Sequence, residues 1–200
     1  MSINVTALEK KIGINFSNKN ILIKSLTHKS FNSSNNNEKL EFLGDRVLGL
    51  IISKKLIEIF PNDKEGVLDK KLASLVNRKK CCEISKNLCL EDYLITGNVK
   101  SKKNKIEDRI ISDACEALIG AIYIDQGLDI AEKFIIKFWK NHMTSNLTNQ
   151  IDSKTKLQEH SLKKYKVLPK YKFFSTKGPH HKPTFKIGVS IHGSKIYYAN

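Results

Sequence analysis

The sequence predicts an all-α domain over residues 1–145, a linker over 146–151, and a small α+β unit of order α-β-β-β over 152–200. In the first range, apolar residues recur at three- and four-residue spacing, as on the buried face of a helix. After Pro169, apolar and polar residues alternate instead, which is typical of strands. The segment that joins the two parts is polar and lacks periodicity, as expected of a linker.

Seven segments of the first range predict helices. They are INVTALEKKIGI, NILIKSL, RVLGLIISKKLIEIF, GVLDKKLASLV, RKKCCEISKNLCL, RIISDACEALIGAIYI and IAEKFIIKFWKNHM. Stretches rich in Asn or Gly, such as FNSSNNN, separate them, and Asn37 is placed to cap a helix that begins at Glu38. In the second range SKTKLQEHSLKKY predicts one amphipathic helix, and YKFFST, TFKIGVSI and SKIYYA predict three strands.

The chain carries 35 lysines and arginines against 20 acidic residues, a formal net charge of +15. This excess indicates a polyanionic partner, most often nucleic acid, although a lysine-rich surface that merely aids solubility explains the composition equally well. Nearly all of the basic residues are lysines, which lack the planar fork that distinguishes bases. Backbone binding with little sequence readout is therefore favoured.

Several classes of protein are disfavoured. No apolar stretch reaches the roughly 18 residues needed to cross a membrane, and the N-terminus lacks the pattern of a secretory signal. The four cysteines form no CxxC pair, which argues against zinc and favours reduced thiols. We expect a cytoplasmic protein without a membrane segment or a small-molecule cofactor.

Acidic residues interrupt two apolar helices, each on one face. Glu38, Glu41 and Asp45 are spaced i, i+3 and i+7, so they lie within about 60° of one another on a helix. Asp113 and Glu116 form a second acidic face at i and i+3. Small residues accompany both faces and would let the two helices approach closely. They are Gly44, Ala114, Ala117, Gly120 and Ala121.

Converging carboxylates repel one another unless a cation lies between them. Oxygen donors without histidine or thiolate partners suit Mg²⁺, with Mn²⁺ as a substitute. Two such ions can clamp a phosphodiester, activate water and stabilise the leaving oxygen. The spacing leaves open the ordinary alternative, in which these acids are solvated or paired with Arg46 and Arg109.

Four stretches resemble the ribonuclease III family and follow that family's order. EKLEFLGDRVLGL is similar to its signature stretch, SDACEALIGAIYID to its second acidic helix, SLTHKSF to its Thr-His-x-Ser segment, and EGVLDKKLASLV to its Glu-Gly-x-Leu helix. The resemblance implies a helical nuclease domain that forms a homodimer and cleaves double-stranded RNA with magnesium, leaving 5′-phosphate and 3′-hydroxyl ends. It also implies processing of ribosomal RNA precursors and other structured transcripts.

The same resemblance implies residue roles. The carboxylates that match the family's metal ligands are Glu41, Asp45, Asp113 and Glu116, and those of the catalytic pair are Asp45 and Glu116. Glu38 and Glu65 match acids placed nearer the substrate or the partner subunit. Leu72 departs from the family, in which arginine is common at this position.

Residues 152–200 resemble a double-stranded RNA-binding domain, through DSKTKLQEHSLKKY and the Gly-Pro-x-His loop. The implied RNA contacts are Lys154, Thr155, Gln158, Glu159, Pro179 and His181. Such domains read A-form shape rather than sequence. The chain ends at Asn200, before the family's Ser-Lys-Lys segment and second helix, so either it is a fragment or the domain is incomplete. We expect an apolar sheet face that one helix does not fully cover, and weakened RNA binding.

The leading hypothesis is an endoribonuclease specific for double-stranded RNA. A non-catalytic RNA-binding or ribosome-associated member of the same fold is the alternative, but such a protein loses the acidic residues, whereas all four are present here. A basic RNA chaperone is a third hypothesis, but it does not explain the two acidic helix faces.

Overall fold

The computed structural model describes residues 4–97, 106–144, 153–178 and 183–199. The chain divides into two compact units, Met1–Thr148 and Asn149–Asn200, each considered by itself. Within the described ranges, no helix combines the length and the apolar character needed to span a bilayer.

In its described residues the first unit is mainly helical, with an isolated β-bridge between Thr27 and Ile95. Its helices are α1 (Val5–Ile12), α2 (Lys19–Ser25), α3 (Glu38–Ile59), α4 (Glu65–Leu75), α5 (Arg78–Asn87), a 3₁₀ turn (Leu90–Tyr93), α6 (Asp108–Gln126) and α7 (Leu128–Thr144). The second unit contains α8 (Ser153–Tyr165), β1 (Lys170–Lys177), β2 (Thr184–Ser190) and β3 (Tyr197–Ala199). The predicted fold class, an all-α domain followed by an α-β-β-β unit, is confirmed.

Helix α6 is the centre of the first unit, where it packs against α2, α3, α5 and α7. From Ile110 to Ile122 every residue is buried except Asp113 and Glu116. Burial on nearly all sides is what an apolar helix needs when other helices surround it. The two acids therefore occupy the one open strip of a core helix.

Two glycines set the distance between α3 and α6. A Cβ atom built on Gly44 would overlap the backbone carbonyl of Glu116 and lie 2.8 Å from the backbone nitrogen of Gly120. A Cβ on Gly120 would overlap the carbonyl of Leu40. The prediction that small residues allow close approach of the two acidic helices is thus confirmed for these two positions.

Asparagine side chains cap several of the helices, but not the helix for which the sequence predicted a cap. Asn4, Asn18 and Asn77 each accept a hydrogen bond from a backbone N–H in the first turn of α1, α2 and α5. Asn37 occupies the N-cap position of α3 but makes no side-chain cap, so the predicted capping bond is wrong. The Oδ1 atom of Asn36 accepts from the Glu38 N–H instead, at 3.1 Å.

The second unit is an antiparallel sheet of order β1-β2-β3. Phe173 pairs with Ile187, and the register shifts at a bulge between Phe173 and Ser175. Phe173, Phe185 and Ile187 remain between 42% and 59% exposed. In the described residues of this unit, one sheet face is therefore only partly covered, as the sequence predicted.

Candidate active site

A cavity of about 690 Å³ opens between α3 and α6, beside the segment that connects α2 to α3. Its walls carry all four carboxylates predicted to bind metal: Glu41, Asp45, Asp113 and Glu116. Because the glycine contact holds the two helix backbones together at this level, the acidic stripe of α3 faces the acidic pair of α6. The structure thus brings together residues that lie some 70 positions apart in sequence.

The two remaining predicted acids lie in different places. Glu38 lines the same cavity, where the Lys29 ammonium holds it at 2.8 Å and lowers the pKa of its carboxyl. Glu65 begins α4 and lines a separate, mainly apolar groove of about 360 Å³ together with Leu56, Ile57 and Leu68. The substrate-proximal role of both residues stays a prediction.

Burial and neighbouring carboxylates raise the pKa of two acids in the cavity, Glu116 and Glu41. Burial is the main cause that raises the pKa of Glu116 to about 7, and the charges of Asp45, Glu41 and Asp113 raise it further. Burial also raises the pKa of Glu41, with Asp113 and Glu38 adding to the effect. Such coupling means that the negative charges share a poorly solvated space.

Basic side chains offset part of this charge. Arg46 is paired with Asp45, and Arg109 with Asp113 at 3.6 Å. Burial nevertheless raises the pKa of Asp113, although Arg109 opposes the effect. The alternative that Arg46 and Arg109 pair with the acids therefore holds for two of the four carboxylates, and the described ion pairs do not reach Glu41 or Glu116.

The donor chemistry fits a hard divalent cation, because the carboxylates offer only oxygen ligands. Within the described ranges, no group of three or more His, Cys, Asp or Glu side chains is already arranged to hold a metal ion. Asp45 and Asp113 turn toward their arginines instead. The donor chemistry therefore suits a hard cation, whereas the described side chains are not arranged around one.

The sequence did not reveal two neighbours of the carboxylates. Cys81 on α5 is fully buried and lies close enough to Glu116 for its thiol to oppose the rise in the pKa of that carboxyl. His28 lines the cavity opposite Asp113 and Glu38. The sequence predicts Cys81 only as one of four reduced thiols in the core or at the surface, and the Thr-His-x-Ser resemblance gives no role to its histidine.

The predicted RNA contacts in the second unit are partly described. Lys154 is exposed on α8, with its ammonium 5.5 Å from the centre of the Tyr171 ring. Gln158 is half-buried one turn further along α8, and Glu159 is exposed. The side chain of Thr155, and Pro179 and His181 entirely, lie outside the described residues.

Two family models match this chain, one in each unit. The model described as ribonuclease-III-like covers residues 18–143, and the model described as double-stranded RNA binding motif covers residues 153–200. Together they include every carboxylate of the cavity and the whole of the sheet.

Curated relatives match over nearly the full chain. Ribonuclease 3 of Pelagibacter ubique is 59% identical over 199 residues, which cover 100% of this chain and 90% of that protein. Ribonuclease 3 of Campylobacter fetus is 38% identical over 192 residues, which cover 94% of this chain and 86% of the relative.

A solved structure matches the helical unit. The nuclease domain of ribonuclease III from Campylobacter jejuni, described as flexible in a region involved in dimer formation, superposes with a TM-score of 0.64 at 41% identity. The match covers 68% of this chain and 99% of that one.

Proposed function

Because this chain belongs to the ribonuclease III family, we propose that it hydrolyses phosphodiester bonds in double-stranded RNA at the cavity between α3 and α6, with two divalent cations. The observation that carries the proposal is the convergence of four carboxylates, one of which, Glu116, has a pKa raised to about 7. A poorly solvated group of acids costs folding free energy, so its presence requires a functional reason.

Glu41, Asp45, Asp113 and Glu116 would hold Mg²⁺, with Mn²⁺ as a substitute. Two bound divalent cations supply an activated water and neutralise charge on the leaving oxygen. Asp45 and Glu116, which match the family's catalytic pair, would act as that pair here, while Glu41 and Asp113 would complete the negative charge around the cations. With the 3′ oxygen as leaving group, the P–O3′ bond would break, so the upstream fragment would end in a 3′-hydroxyl and the downstream fragment would begin with a 5′-phosphate.

The second unit would bring duplex RNA to the nuclease unit. Its helix α8 would present Lys154, Gln158 and Glu159 to one minor groove, and the segment with Pro179 and His181, which matches the family's Gly-Pro-x-His loop, would reach the next. Contacts of this kind read the A-form shape and the 2′-hydroxyls, so binding would weaken steeply with salt but vary little with sequence. We propose ribosomal RNA precursors and other structured transcripts in the cytoplasm as substrates.

The direct test compares substrates and cations. The intact chain is incubated with a long RNA duplex, with either strand alone and with a DNA duplex of the same sequence, in Mg²⁺ and in a chelator. We expect cleavage of the RNA duplex alone, in Mg²⁺ alone, with 5′-phosphate ends detected by end-labelling. Equal cleavage of single strands, or cleavage in chelator, would contradict the proposal, and binding without cleavage would favour the non-catalytic alternative.

We also propose that the nuclease units form a homodimer through α3. Phe42, Leu50 and Ile57 follow one another along one side of this helix and are 59–66% exposed. Ile57 also lines the apolar groove between α3 and α4, which continues this surface. If two protomers paired these apolar surfaces around a two-fold axis, the exposed side chains would become buried. The two cavities would then lie along one groove, and each cavity would cut one RNA strand.

Leu50→Glu is expected to separate the dimer, because it places a charge from each protomer into the apolar contact. We expect the dissociation constant to rise at least about a hundredfold, with paired cuts lost in parallel. Sedimentation at several protein concentrations measures the change. Ile124→Glu is the matched control, since Ile124 is 52% exposed but lies at the far end of α6. A dimeric Leu50→Glu protein would argue against this interface.

A further inference from the structure

His28 lines the cavity, but the proposed binding of metal by the carboxylates gives this histidine no role. We propose that His28 is a substrate-contacting residue, whose Nε2–H donates a hydrogen bond to a phosphate oxygen of the RNA strand held in the cavity. The inference rests on the proposed nuclease function and adds a neutral donor to its acidic site. Three independent features of the structure support it.

The first feature is the rigid backbone at this position. The His28 N–H donates to the Ile95 carbonyl at 2.9 Å, and the Ile95 N–H donates to Leu26 at 2.9 Å. On the other side, the Asn37 N–H donates to the Thr27 carbonyl at 2.9 Å, just before α3 begins. The histidine is thus fixed relative to the helix that carries Glu38, Glu41 and Asp45.

The second feature is the orientation of the ring. The backbone N–H of Ser30 donates to Nδ1 of His28 at 3.2 Å, and the Ser30 hydroxyl lies 2.8 Å from the same atom. The hydroxyl oxygen in turn accepts from the Gly97 N–H at 3.0 Å. Since a backbone N–H can only donate, Nδ1 must accept, and a neutral ring then carries its proton on Nε2.

The third feature is the charge around the ring. Burial and the neighbouring Lys29 lower the pKa of His28, Arg109 lowers it further, and the charges of Asp113 and Glu38 oppose them. This direction agrees with the neutral ring that the hydrogen bond from the Ser30 N–H to Nδ1 indicates. A neutral donor does not form an ion pair with the carboxylates or repel bound cations, but it still offers a proton to an anionic phosphate oxygen.

His28→Phe keeps a planar ring of similar size and removes the donor. We expect a roughly 10- to 100-fold lower kcat/KM on an RNA duplex, as for loss of a hydrogen bond to a charged group. The melting temperature should fall only slightly, because the exposed Ser30 N–H and hydroxyl lose Nδ1 as a partner but can bind water. The Mg²⁺ concentration for half-maximal rate should stay unchanged. His28→Gln restores an amide donor and should recover most of the rate. It also keeps the inference testable if the phenylalanine variant folds poorly.

Substrates with sulfur in place of single phosphate oxygens around the cut provide the decisive readout. At one oxygen, we expect the sulfur to slow the parent about tenfold but to slow His28→Phe less than about twofold, because the variant has already lost that bond. The inference would be overturned if sulfur at every tested oxygen slowed His28→Phe as much as it slows the parent. It would also be overturned if His28→Phe required more Mg²⁺ than the parent. Either result would indicate that His28 only orients Asp113. Parental rates in His28→Phe would overturn it too, whereas an inactive parent would reject the nuclease function itself.

Discussion

Gly44→Ala is expected to lower the free energy of unfolding by more than about 3 kcal/mol and to abolish cleavage. The added methyl group would overlap the backbone carbonyl of Glu116 and come within 2.8 Å of the Gly120 nitrogen. Backbone atoms in the middle of two packed helices cannot swing aside, so α3 and α6 must separate, which is why the cost exceeds that of ordinary overpacking. Thermal and chemical denaturation measure the loss, and duplex cleavage measures the damage to the site.

Gly49→Ala provides the matched control on the same helix. A Cβ at Gly49 would meet no described atom within 4 Å, so the substitution adds no clash. Alanine in a helix interior is favoured over glycine by about 0.5–1 kcal/mol. We expect this variant to be slightly more stable than the parent and fully active. Parental stability in Gly44→Ala would show that the glycine contact does not set the distance between the acidic helices.

Glu116→Gln is expected to affect activity and stability in opposite directions. Cleavage should fall by at least about a hundredfold, because even residues behind a metal ligand are commonly worth 10- to 100-fold. In metal-free buffer at pH 8, however, the variant should be more stable than the parent. Its neutral amide has nearly the shape of the carboxylate and removes the charge that Asp45, Glu41 and Asp113 repel.

The pH dependence of this gain follows from the pKa of Glu116, which rises from an ordinary value of 4.5 to about 7 in the folded protein. Above pH 7 the carboxylate is ionised in both the folded and the unfolded state, and its charge destabilises only the folded one. Below pH 4.5 it is protonated in both. The advantage of the glutamine variant is therefore full above pH 7, declines between pH 7 and 4.5, and vanishes below.

The size of the gain is limited by solvent. The rise in the pKa of Glu116 from 4.5 to about 7 corresponds to roughly 3 kcal/mol of folding free energy. Because the side chain still contacts water, we expect a gain of about 1–2 kcal/mol at pH 8. Added Mg²⁺ should then raise the melting temperature of the parent more than that of the variant, since the cation neutralises the same repulsion.

Glu83→Gln is the control for a carboxylate outside the cavity. Glu83 is on α5, partly exposed, and pairs with Lys80 at 2.6 Å. Its replacement should leave cleavage unchanged and lower stability by a few tenths of a kcal/mol at most. Reduced stability of Glu116→Gln at pH 8 would show that the acidic cluster is not a source of strain in the metal-free fold.

The sequence by itself determined the fold class, the family and the faces of α3 and α6 that carry acids, and the structure and comparisons confirm the first two. Periodicity and spacing are local properties, since i, i+3 and i+7 positions share a helix face wherever that helix packs. The prediction that Gly44 and Gly120 bring the two faces together also succeeded, because small residues are required wherever backbones approach this closely.

Only the tertiary structure decided which other groups surround these carboxylates. His28 reaches the cavity because its backbone bonds to Ile95, and Cys81 meets Glu116 because α5 packs against α6. Glu65, in contrast, lines a separate groove. These neighbours depend on contacts between segments far apart in the chain, and in the case of His28 on hydrogen bonds that fix its ring. Residue spacing within one segment carries no information about either.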